Sequence, residues 1–181
     1  MEKLYIMTYG VSTHYMKFKP DEFPKKIEDI IKLIKEKNIS FHSTKLKKTG
    51  DIALFLGLFF GFSKRFIDIM KENEINNFKE YKIKISSPKD CQDFYYLDIK
   101  SFKPDRYKKK IFMKRLVNTN PLLIIKSANN YFKYDDWGGE HIFMIKESGT
   151  LFCTEKVKNI VKKNNLKNFR FRELEIKRHL F

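Results

Sequence analysis

The chain has 181 residues, of which 42% are hydrophobic and 15% aromatic, with 18 Phe among them. That supply fills a core and excludes disorder by composition, while two Cys exclude a disulfide-dense secreted scaffold. Thirty-eight basic residues against 22 acidic ones leave a formal charge of +16, so the surface is basic.

In chain order, Leu4 to Tyr9 is rich in β-formers and predicts an opening strand. Asp21 is placed to cap a helix with Pro24 in its first turn. Ile27, Ile30, Ile31 and Ile34 recur at helical spacing, with Lys25, Lys26, Lys32 and Lys35 largely on the opposite side, and Asn38 marks the end. Lys45 to Gly50 reads as a polar loop. Ile52 to Phe62 is the most apolar stretch, too short to span a bilayer. The amino-terminal apolar run is too short for a signal peptide, so the chain is expected to be cytoplasmic with Cys91 and Cys153 reduced.

An internal repeat organises the rest. Ser63, Phe66, Ile69, Met70, Asn73 and Phe78 match Thr154, Val157, Ile160, Val161, Asn164 and Phe169 at a constant shift of 91. Each copy has an N-cap residue, an i, i+3, i+4 apolar stripe for a short helix, and an Asn where the helix stops. Asn is expected there because it tolerates the left-handed conformation. Phe66, Ile69, Val157, Ile160 and Phe169 are the expected core. Upstream, Gly50-Asp51-Ile52-Ala53-Leu54 aligns with Gly139-Glu140-His141-Ile142-Phe143 at a shift of 89. Between the copies, Phe94 to Ile99 predicts a strand. Leu122 to Ile125 and Tyr131 to Tyr134 predict a hairpin across a turn with two Asn.

The expected fold is therefore α/β, in the mixed α+β sense, with two related strand–helix–strand half-units packed through a mixed sheet. One domain, residues 1–181, is expected to hold four parts. These are an amino-terminal strand and helix (1–45), the first repeat (50–85), connecting strands and a hairpin (91–135), and the second repeat (139–176).

Six of the 38 basic residues are Arg, and the rest are Lys. Sequence-reading nucleic-acid proteins favour the planar Arg fork, whereas Lys offers point charges. The Lys excess has two readings, a solvated surface or an electrostatic attraction to an acidic partner, protein or nucleic acid. Lys103 to Lys114, including Arg106, Lys108 and Lys109, is the densest basic run.

Asp135-Asp136-Trp137-Gly138-Gly139-Glu140-His141 is the local cluster with catalytic residue types. Carboxylates beside a His suit acid–base work or a metal. Adjacent Asp residues beside Gly-Gly equally suit a turn between strands, and His141 then sits on the following strand. Trp137, the single Trp, reads as a packing anchor or an interface aromatic. The four His show no metal-ligand spacing, the two Cys form no Cys-x-x-Cys, and no phosphate-binding Gly-rich loop occurs. No cofactor and no metal is expected, and the residues make no positive case for an enzyme.

These pieces, in their order, resemble the bacterial polymorphic-toxin immunity proteins of immunity family eleven. The pieces are Asp51 to Ile83, Tyr95-Tyr96-Leu97-Asp98, Trp137 to Phe143, and Phe152 to Leu174. The chain departs from the family pattern where Asn168, not Gly, precedes Phe169, and where His141 replaces the usual acidic residue, with Glu140 one place earlier. The resemblance implies a non-enzymatic protein that binds and neutralises a cognate toxin by occlusion. The turn at Asp135, Asp136, Trp137, Gly138 and Gly139, with Arg106, Lys108 and Lys109, is the expected contact region, and a toxin with an acidic face the expected partner. The competing functions are a basic nucleic-acid-binding module and an enzyme centred on Asp135, Asp136, Glu140 and His141.

Overall fold

The computed structural model describes residues 2–9, 16–17, 27–36, 40–43, 50–55, 59–86, 91–102, 122–125, 130–133, 137–145 and 150–177. The fold is mixed α+β. In chain order the strands and helices are β1 (Leu4–Tyr9), β2 (Met16–Lys17), α1 (Ile27–Glu36), β3 (Ser40–Ser43), β4 (Ile52–Phe55), β5 (Phe59–Ser63), α2 (Lys64–Glu72), β6 (Phe78–Ser86), β7 (Cys91–Ile99) and β8 (Ser101–Phe102). There follow β9 (Leu122–Ile125), β10 (Asn130–Lys133), β11 (Ile142–Ile145), β12 (Thr150–Thr154), α3 (Glu155–Lys163), β13 (Phe169–Glu173) and β14 (Glu175–Lys177). No helix among the described residues is long and apolar enough to cross a membrane. The cap residues Asp21 and Pro24 lie outside the described residues, as does most of the loop read at Lys45 to Gly50.

Two compact units divide the chain: Met1–Met7, Lys100–Lys158 and Phe171–Phe181 form one, Thr8–Ile99 and Asn159–Arg170 the other. In the first, a mixed sheet runs in the order β13-β1-β12-β11-β8, with β11 and β12 antiparallel and β11 and β8 parallel. Strand alternation puts Leu4, Ile6, Phe143, Ile145 and Phe152 on one buried face, where Leu174 joins them. Phe143 and Phe152 are register partners with rings stacked at 5.3 Å. Full burial of each contributes about 2–3 kcal/mol. Tyr5, Ile142, Leu151 and Cys153 alternate to the opposite side and are buried as well. Tyr5 then anchors the first turn of α3, its hydroxyl donating to Glu155 Oε1 at 3.0 Å beneath the Lys158 ammonium, 3.9 Å from the ring. The hairpin expected at Leu122 to Tyr134 is present as the antiparallel pair β9–β10, and β14 extends it.

The second unit is built on a six-stranded mixed sheet, β2-β3-β6-β7-β5-β4. The apolar stripe of α1 buries Ile30 and Ile34, with Ile31 partly buried, against Ala53, Phe59, Ile83, Phe94 and Tyr96. The opposite parity of β6 and β7 faces α2, where Lys71 pairs with Glu80 at 2.8 Å and the Lys64 ammonium lies over Tyr95. Helix α2 buries Phe66, Ile67 and Met70.

The two stretches compared in the sequence make matching hydrogen bonds. Ser63 N–H donates to Asp51 O in the first copy, and Thr154 N–H to His141 O in the second. Asp51 therefore corresponds to His141, and the upstream shift is 90 instead of the 89 read from Gly-acidic similarity. Both helices end alike. Ile75 N–H donates to Met70 O and Leu166 N–H to Val161 O, while Glu74 and Asn165 close a tighter turn onto Lys71 O and Lys162 O. This is the Schellman ending, with a buried apolar residue just beyond the helix. The left-handed residue is Glu74 (φ 62°) in one copy and Asn165 (φ 51°) in the other, not Asn73, whose φ is −99°. Asn73 and Asn164 serve differently: their side-chain amides donate to Ile69 O at 2.8 Å and Ile160 O at 2.9 Å, satisfying carbonyls the helix leaves orphaned. Phe66, Val157 and Ile160 are buried as expected, but Ile69 and Phe169 are only half-buried. Ile67 takes the deeper position on α2, and Phe169, half-buried, stacks 5.3 Å from Phe66.

The first copy also carries a buried carboxylate. Asp51 is 8% exposed. Its Oδ1 accepts the Ser63 hydroxyl at 2.7 Å and its Oδ2 the Lys167 backbone N–H at 2.7 Å. Ser63 Oγ in turn accepts Phe66 N–H at 3.1 Å, the N-cap bond of α2.

Two stability outcomes follow from these contacts. Glu74→Gly removes a left-handed strain and is expected to raise stability by about 0.5–1 kcal/mol in urea unfolding. Unchanged or lower stability would contradict the left-handed ending. Asp51→Ala strips the buried carboxylate from two donors and should cost about 3 kcal/mol, a loss under 1 kcal/mol being inconsistent with the bracket.

Candidate functional site

The turn that leads into β11 is shaped by two glycines and one aromatic ring. Gly139 has φ +85°, a conformation that L side chains rarely adopt. A Cβ on Gly138 would come within 2.8 Å of Glu140 Oε1. Both glycines are exposed, so the turn displays bare backbone. Trp137 is half-buried, packed against the cluster of Leu4, Ile6, Phe143, Ile145, Phe152 and Leu174. Its ring sits 6.1 Å from that of Phe143, and its Nε1–H donates to Glu140 O at 3.0 Å. Trp137 thus pins the turn from the core side.

The ionisable groups of the turn are engaged in holding it. Glu140 pairs with the Lys100 ammonium. Burial pushes the Glu140 carboxyl up, but the Lys100 hydrogen bond and backbone N–H groups outweigh it and hold the carboxyl below its ordinary value. A carboxylate held ionised this way is a poor general acid or base at neutral pH. His141 Nδ1 is hydrogen-bonded with Thr154 Oγ1 at 3.0 Å, which satisfies a fully buried hydroxyl at the start of α3. The Cys153 thiol is pushed up by burial, which keeps it from reacting as a thiolate. Among the described residues no group of three or more His, Cys, Asp or Glu is placed to hold a metal ion.

Of the expected contact residues, the structure gathers Trp137, Gly138 and Gly139 in this one turn, with Glu140 and His141 beside them. Asp135, Asp136, Arg106, Lys108 and Lys109 lie outside the described residues. Lys100 was not legible as a member of the site. It reaches Glu140 across 40 residues because β8 pairs with β11, and no local pattern signals a two-residue parallel strand.

The Glu140 pair has a pH consequence. A carboxyl held low in the folded state contributes stability that is present above its unfolded value and lost as pH falls through the folded one. Acid titration of stability below about pH 4.5 is therefore expected to be shallower in Glu140→Gln than in the parent. Identical acid limbs would contradict the pairing.

No curated protein matches the chain. Residues 105–175 match the model of an immunity protein family (Imm11), a span that takes in most of the basic run, the Trp137–His141 turn, β12, α3 and β13. Over that span the chain is similar to the immunity proteins, consistent with an immunity protein of the polymorphic-toxin type.

Proposed function

We propose that this protein binds a cognate bacterial toxin and neutralises it by covering its active cleft, without catalysis of its own. The observation that carries this reading is the family match over residues 105–175. The geometry supports it. The turn within that span carries exposed backbone at Gly138 and Gly139 on a base fixed by Trp137, Glu140 and His141. A rigid, pre-shaped surface loses little order on binding, which is what an occluding protein needs. The turn residues Asp135 to Gly139, together with Arg106, Lys108 and Lys109, are the proposed contact region. An interface of ordinary size, about 1,600 Å² in total, needs further surface beyond one turn. The protein acts in the cytoplasm of the producing cell, where it meets the toxin before export.

The test is protection. A toxin gene is expected beside this one; cells expressing its toxin domain should regain growth when the full chain is co-expressed, and the two purified proteins should form a complex. Absence of both protection and complex overturns the reading. Retention on nucleic acid that weakens steeply with salt would replace it with a nucleic-acid-binding function.

A further inference from the structure

Ion pairs neutralise much of the described basic surface. Lys3 pairs with Glu173, Lys32 with Glu36, Lys35 with Asp98, Lys64 with Asp68, Lys71 with Glu80, Lys82 with Asp93, Lys100 with Glu140 and Lys158 with Glu155. Lys79, Lys84, Lys156 and Arg172 stand outside these pairs at scattered positions, whereas the segment from residue 159 to 170 gathers several unpaired cations in one short stretch. It holds Lys162, Lys163, Lys167 and Arg170, no acidic residue, and all four cations are exposed. None of the four makes an ion pair among the described residues.

The four charges are carried on a fixed frame. Asn164, between Lys163 and the left-handed Asn165, accepts the Arg65 guanidinium on its carbonyl at 2.6 Å. Lys167 is held by its backbone on both sides: its N–H donates to Asp51 Oδ2 at 2.7 Å and its carbonyl accepts Asp51 N–H at 3.0 Å. Asn168 donates to Ile52 O at 2.9 Å, and Gly50 approaches so closely that a Cβ would come within 2.4 Å of Asn168 Cβ. The carboxylate nearest the segment, Asp51, faces inward and is consumed by these bonds. A helix C-terminus favours cations in its last turn, which accounts for Lys162 and Lys163. It does not account for Lys167 and Arg170, which lie beyond the helix.

We infer that the surface formed by Lys162, Lys163, Lys167 and Arg170 is an electrostatic docking face for an acidic protein surface. This rests on the immunity reading and places on the toxin a carboxylate-rich patch opposite the end of α3. The chemistry favours protein over nucleic acid. Single-strand binders need aromatic platforms, and the aromatic here, Phe169, is stacked on Phe62 and Phe66. The Arg65 fork is likewise occupied by Asn164 O and lies 3.8 Å from Asp51 Oδ2. What remains presents mainly lysine point charges, which steer a protein partner and set its association rate.

The experiment measures association of the full chain with the toxin domain used in the protection test, by stopped flow across a salt series. It compares the parent with Lys162→Glu/Lys163→Glu/Lys167→Glu, and with the Gln triple at the same positions as a milder variant. Melting temperatures check that each variant is folded. The expected result is an association rate lowered at least tenfold in the Glu triple, lowered less in the Gln triple, with a flatter salt dependence in both. If the parent binds and both variants bind at the parental rate, the docking face is wrong while the immunity reading stands. If the parent itself forms no complex, the immunity reading fails and takes the face with it. Tight binding of a 20-nucleotide single strand by the parent, abolished in the variants, would make this a nucleic-acid surface and overturn the proposal.

Discussion

One carboxylate organises the second compact unit. Asp51 sits where the chain enters β4, almost out of water, and its two oxygens take the hydroxyl that caps α2 and the backbone N–H of Lys167. A buried charge is tolerated only when its lone pairs are met, so each of these bonds constrains the others. Through Ser63 the carboxylate fixes the start of α2. Through Lys167 it fixes the chain that leaves α3, and Asn168 and Gly50 close the same contact from either side. The aromatic stack of Phe62, Phe66 and Phe169 lies on the elements so joined.

The two strand–helix stretches that begin at Asp51 and His141 share backbone hydrogen bonds and differ in chemistry at this point. Asp51 and His141 both offer a carbonyl to the residue that precedes the helix, and both reach its hydroxyl. The acid serves as an acceptor for several donors. The imidazole, in contrast, meets Thr154 and leaves its neighbour Glu140 to pair with Lys100. The first copy thus became a structural bracket. In the second, the same strand entry carries the Trp-Gly-Gly turn within the span that matches the immunity family.

Much of this was legible in the residues. Cap, apolar stripe and terminal Asn repeat at a fixed shift, and that pattern marked both helices and the strands around them. The terminal Asn suggests a left-handed residue, whereas its amide bonds the helix and the next residue takes the left-handed turn, at Glu74 against intrinsic preference. Tertiary packing overrode propensity there, since burying Ile75 requires the chain to reverse. The i, i+3, i+4 stripe of α2 points to Ile69, but Ile67 is the residue fully buried, with Ile69 half-buried. The partners Lys100 for Glu140 and Lys167 for Asp51 were not readable, since each lies far along the chain and Lys167 contributes only its backbone. The excess of Lys gave no location for charge. The fold sets that location, through the lysines to which it brings a carboxylate from elsewhere in the chain.

The loop after α3 is a fixed support, held by Asp51, for the cations that project from it. Amide hydrogen exchange at Lys167 tests this most directly. In the parent protein the Lys167 N–H should be protected to a degree similar to that of Leu166, whose N–H is bonded to Val161 O. In Asp51→Asn its exchange should accelerate at least tenfold relative to Leu166. A Lys167 amide that exchanges at the rate of an open chain in the parent would show that the carboxylate holds nothing there, and would contradict the account.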